Sequence, residues 1–159
     1  VKLAAAPREG ALEADAGGSS LADRIRARKA ALKADRERVF ALPGYEGVLE
    51  AEYRRLEPDE LDKVLGPEIE DMNERYAQFL IDALIGLHLL DQEGARADRP
   101  LDWEAAARLA EPDAELSSAR GAVLEVFDHN GHELRDHGDE VYRWMKGAHR
   151  AAEQAVAGG

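Results

Sequence analysis

The sequence predicts a mainly α-helical protein with one small β-hairpin, an α+β chain in which a flexible leader precedes a compact helical domain. Three observations predict this. Apolar residues recur at helical spacing through Ile69, Met72, Tyr76, Phe79, Leu80, Ala83, Leu84 and Leu87. They alternate instead from Val48 to Leu56, with Leu49, Ala51 and Tyr53 on one side and Glu50, Glu52 and Arg54 on the other, the pattern of a half-buried strand. Residues 1–19 are rich in Ala, Gly and Glu, end at Gly17-Gly18-Ser19 and show no apolar period.

The elements follow in order. Ser20, with Asp23 three positions on, resembles a capping box and opens a basic helix over 20–37. Its apolar side is thin: Leu21, Ile25 and Leu32 among alanines. Arg38 to Leu42 is β-prone, Pro43-Gly44 and Gly47 are turn signals, and the alternating run completes a hairpin over 38–56. Pro58 suits a first helical turn, and Gly66-Pro67 stops that helix. The strongest helix follows, with Gly86 as a candidate end. Leu87 to Leu90 reads equally as helix or as a short strand turning at Asp91 to Gly94. Later helices are expected around Trp103 to Leu109, from Ser117 or Ser118 through Phe127, and through Leu134, Val141, Trp144 and Met145, with Asn130-Gly131 as a break. The helical core domain thus runs over 38–150, and 151–159 is expected to fray. Phe79, Leu80, Leu84 and Trp144 are expected to be buried together, and the leader to be dispensable for stability.

Composition excludes several classes. At 159 residues the chain is one domain with tails. It has no cysteine, which excludes disulfides, thiolate zinc and a cysteine nucleophile. No apolar run reaches the length of a spanning helix, and Val1 to Ala6 lacks the apolar core of a secretory signal. The net charge is −12, which repels phosphate backbones. One segment runs against it: Arg24 to Arg38 holds seven basic residues against Asp35 and Glu37. No aromatic residue interleaves with these cations, so nucleic acid is disfavoured as a partner and a solvated helix face favoured.

Candidate chemistry is sparse. His132 and Asp136 are four apart and would share a helix face, a spacing that suits metal ligands. The segment Asp128 to His132, with Asp136, His137 and Asp139, also reads as a polar connector between helices. His88, among leucines, reads as a satisfied boundary histidine, and Trp103 and Trp144 as core. No phosphate loop, nucleophile elbow or zincin motif is present. The sequence therefore assigns no catalytic, cofactor-binding or metal residue and points to a binding or assembly factor, not an enzyme.

The order of segments carries a resemblance. A basic leader helix precedes Val39-Phe40-Ala41-Leu42-Pro43-Gly44-Tyr45-Glu46-Gly47-Val48-Leu49-Glu50-Ala51-Glu52-Tyr53-Arg54-Arg55-Leu56. An acidic helix and the apolar stretch Leu84-Ile85-Gly86-Leu87-His88-Leu89 follow. The end reads Ser118-Ala119-Arg120-Gly121-Ala122-Val123-Leu124-Glu125-Val126-Phe127 and then Gly138-Asp139-Glu140-Val141-Tyr142-Arg143-Trp144-Met145. Over about residues 20–146 this is similar to the tail assembly chaperones of long-tailed actinobacterial phages and prophages. The junction Asp128 to His132 departs from the shorter one expected there. The resemblance implies a factor in the cytoplasm of the bacterial host cell that binds the tape measure protein, helps recruit tail tube subunits and performs no catalysis. Phe40, Leu49 and Tyr53 on an open hairpin are the candidate partner-binding residues. Self-association stays open, as do two other readings: a structural virion component (head–tail connector or minor tail protein), and a metal-dependent hydrolase built on the His132 region.

Overall fold

Helix α1 spans Leu21–Arg36. The Ser20 hydroxyl accepts the Asp23 N–H at 3.0 Å, satisfying a donor that the first turn leaves free, and Asp23 also pairs with Arg26. None of its residues is buried. The computed structural model describes the backbone of residues 20–158 and side-chain surroundings up to residue 147. The expected leader, 1–19, lies outside the described residues. The chain divides after Arg36 into two units, and α1 is described by itself.

From Glu37 onward, an antiparallel sheet is packed against helices. Strand β1, Glu37–Ala41, pairs with β2, Leu49–Arg54, with Phe40 opposite Ala51. The connecting turn needs glycine at two places, since Gly44 and Gly47 sit at φ 85° and 79°, a region that side chains strain. The hairpin does not stand open. A third strand, β3, Leu84–Leu89, pairs on the other edge of β2, giving the order β1-β2-β3 with a register shift between Glu52 and Tyr53.

Helix α2, Pro58–Val64, starts with proline at its first position, where no N–H is needed. Helix α3, Met72–Ala83, is capped by Asp71, which accepts the Glu74 N–H at 3.0 Å. It ends at Ala83, and the chain turns directly into β3 with the Leu84 N–H bonded to the Ile81 carbonyl. This resolves the ambiguity between helix and strand and corrects the reading of Gly86 as a helix stop. Gly86 lies inside the strand, where a Cβ would come 2.5 Å from Cβ of Pro100. The residue is small because the 100–101 segment presses on the strand there, with Leu101 exchanging hydrogen bonds with Leu87 at 2.7 and 2.8 Å.

Helices α4, Trp103–Ala110, and α5, Ala119–Val126, are capped by Asp102 and Ser118. Helix α6, Gly131–Gly158, runs unbroken through the segment where fraying was expected. Asn130 is its cap, accepting the Glu133 N–H at 3.1 Å. The break between α5 and α6 falls just before it, at Asp128 and His129, both left-handed with φ 52° and 56°.

The core sits between one sheet face and the helices. Ala51, Tyr53 and Leu87 meet Phe79 and Leu80 from α3, Val123 from α5, and Leu134, Val141 and Met145 from α6. Of the four residues expected to be buried together, Phe79 and Leu80 are, while Leu84 and Trp144 pack half-buried at the margin. Leu84 opens a strand at the rim of the helix–sheet junction, so it does not share the inward stripe of α3.

Candidate interaction surfaces

The three candidate partner-binding residues are not on a surface. Phe40, Leu49 and Tyr53 are 8%, 6% and 0% exposed. The period-2 alternation is real, but β2 is the central strand and its 49-51-53 face is the one the helices cover. These residues hold the core together.

Tyr53 instead has a buried polar partner. Its hydroxyl lies 2.8 Å from Nε2 of His137 on α6. His137 is 2% exposed and sits among the rings of Phe40, Tyr53 and Phe127, with centroids 5.6 to 6.2 Å away. Its Nδ1 has no hydrogen-bond partner. Burial among these rings penalises the imidazolium and lowers the His137 pKa to about 4. Burial also raises the Tyr53 phenol well above its ordinary value. The pair is thus neutral on both sides at pH 7. The sequence reading placed His137 in a polar connector with a spacing that suits metal ligands, not in the core. The missed signal was its position, three after Leu134 and four before Val141, on the apolar stripe of α6.

Only Asp128 to Asn130 of that segment connect the two helices; the rest lies on α6. His132 and Asp136 lie 3.3 Å apart on α6 but are 79% and 66% exposed. Among the described residues no group of three or more ligating side chains is placed to hold a metal ion. His88 is the satisfied histidine the sequence suggested: Nε2 is 2.8 Å from the Glu52 carboxylate across β2 and β3.

Among the described residues, the Glu37–Gly159 unit carries several clefts, of which two are the roomiest. One, of about 510 Å³, is lined by Arg54, Lys63 and Arg120 facing Glu60, Glu68 and Asp82. Its two arginines are already engaged: Arg54 makes a two-pronged bond to Glu60, and Arg120 donates to Gln78 at 2.9 Å. The other, of about 540 Å³, has an apolar floor of Ile81, Leu84, Ile85, Leu101 and Trp103 and carries Asp102 and Glu104. Ile85 there is 43% exposed. A separate apolar spot lies at the turn end of the sheet. Val48 there is 50% exposed, and its carbonyl accepts the Leu90 N–H at 2.8 Å, while Leu89, paired with Leu49 on the helix-covered side, is 37% exposed. Among the described residues no helix is long and apolar enough to cross a membrane.

No family model matches the chain, and no curated protein and no solved structure matches it.

Proposed function

We propose that the chain is a tail assembly chaperone of a long-tailed phage or prophage: a holding factor that binds an apolar helical segment of the tape measure protein, assists tail tube assembly and does no chemistry. The observation that carries this reading is the combination of large aliphatic side chains left in solvent with a strong negative charge. Val48, Met72, Ile85, Leu89 and Leu109 are each more than a third exposed, while residues Glu37 to Gly159 hold 28 acidic and 13 basic side chains. Exposed aliphatic area supplies the driving force for meeting an amphipathic client, and like charge keeps the holding factor itself dispersed.

Since Phe40, Leu49 and Tyr53 are core, the client surface is assigned to the turn end of the sheet, at Val48. Co-expression with the tape measure protein encoded beside it should raise the soluble yield of that protein, and the two should co-purify. Val48→Asp should weaken co-purification while leaving the circular dichroism melt of the free protein unchanged. A wild-type chain that neither co-purifies with the tape measure protein nor raises its solubility defeats the reading. Retention in purified virions would mark a structural component instead.

A further inference from the structure

The two units carry surfaces of opposite character. On α1, successive residues turn by about 100°, which places Leu21, Ile25 and Leu32 within an arc of about 40°. These are the large aliphatic side chains of the helix, and they are 49%, 59% and 40% exposed. Arg24, Arg28, Lys29 and Arg36 flank the seam within about 80° on either side. The helix holds six basic and two acidic residues, so it is +4 in a chain of −12. A helix with so little apolar area gains its order from a partner.

The cleft beside β3 is the complement. Its floor is apolar, with Ile85 left 43% exposed beside Leu84 and Leu101. Its charged lining residues are Asp102 and Glu104, and among the described residues no lysine, arginine or histidine lines it. Glu104 shares its carboxylate with Arg108 one turn on, at 3.4 Å, and both remain more than half exposed. The unit around the cleft is −15, from 28 acidic and 13 basic residues.

We infer that the protein self-associates through this pair of surfaces: α1 of one copy lays its aliphatic seam into the Ile85 cleft of a second copy, with the flanking arginines over the acidic rim. In a two-fold pair each copy gives its helix and receives its partner's, so every contact is made twice. The apolar seam drives association, and the charge match sets the register and rejects a helix-to-helix pairing of two +4 surfaces. The inference does not depend on the tape measure reading, since it needs no second protein.

The test is sedimentation equilibrium on the purified full chain. The wild type should be a dimer that weakens as salt is raised. Ile25→Asp and Ile85→Arg change exposed side chains, so both should fold, and each alone should weaken the dimer by about tenfold or more. Mixing the two variants should restore association, because the intact helix of one meets the intact cleft of the other and the altered pair sets Asp against Arg. A wild type that stays monomeric, a dimer that survives both substitutions, or a mixture that fails to recover would each overturn the inference.

Discussion

The Tyr53 hydroxyl and His137 Nε2 lie 2.8 Å apart although 84 residues separate them in the chain. The bond ties the central strand to α6 through the middle of an aromatic cluster. It joins two neutral groups in a site with no water-like surroundings, so its contribution depends on both staying neutral.

That dependence gives the first prediction. Unfolded, His137 takes up a proton near pH 6.5, while in the fold burial holds this down to about 4. Well above pH 6.5 neither state binds the proton and the site costs nothing. Between 6.5 and 4 the unfolded chain is protonated and the folded one is not, so stability falls as pH falls, and the loss is complete below 4. It should reach about 2 kcal/mol by pH 5 and about 3 kcal/mol at its limit. Urea unfolding at pH 7 and pH 5 checks it. His137→Phe should lose about 2 kcal/mol less than the wild type over that interval. Equal losses in the two proteins would mean that His137 is not held neutral.

A second substitution examines the other half of the pair. Tyr53→Phe keeps the ring and removes the hydroxyl, leaving both nitrogens of a buried imidazole without a partner. The expected cost is about 1–3 kcal/mol, the desolvation penalty of an unsatisfied buried group. A cost below that range in thermal unfolding would show that the imidazole finds another partner once the hydroxyl is gone.

Most of the fold was legible in local pattern. Helical periodicity marked α3, the alternation at 49–54 marked β2, and Ser20, Pro58, Ser118 and Gly66-Pro67 punctuated the chain where the structure does. What was not legible was set by tertiary pairing. Leu84 to Leu89 is apolar on both sides, and only the presence of β2 as a neighbour makes it a strand. The alternation of β2 identified which side chains share a face but not that helices cover that face, so Phe40, Leu49 and Tyr53 were assigned to a partner. His137 was read as part of a polar connector for the converse reason, because Asp136 before it and Asp139 two residues after it are polar while its stripe along α6 is not.

The distinction between stripe and rim is measurable at two leucines. Leu80 is fully buried on the inward side of α3, and Leu84 is half-buried at the start of β3. Leu80→Ala should cost about 2–5 kcal/mol, as truncation of a buried leucine does. Leu84→Ala should cost clearly less, since part of its surface is already in water. Comparable losses in chemical denaturation would place Leu84 back in the core.

Two glycines of α6 should respond in opposite directions to the same change. Alanine is favoured over glycine within a helix by about 1 kcal/mol, and that term is common to both sites. At Gly147 nothing lies within 4 Å of an added Cβ, so Gly147→Ala should stabilise by about 0.5–1 kcal/mol. At Gly138 the added Cβ would come 2.4 Å from Cδ1 of Tyr76. That ring cannot simply swing aside, because its hydroxyl donates to Asp139, the next residue of the same helix. Moving it breaks the bond or shifts α3 from α6. Overpacking of this kind costs about 1–3 kcal/mol, which exceeds the propensity gain. Gly138→Ala should therefore lower the melting temperature while Gly147→Ala raises it. If both raise it, the Tyr76 ring is free to move, and the close approach of α3 to α6 does not require glycine at position 138.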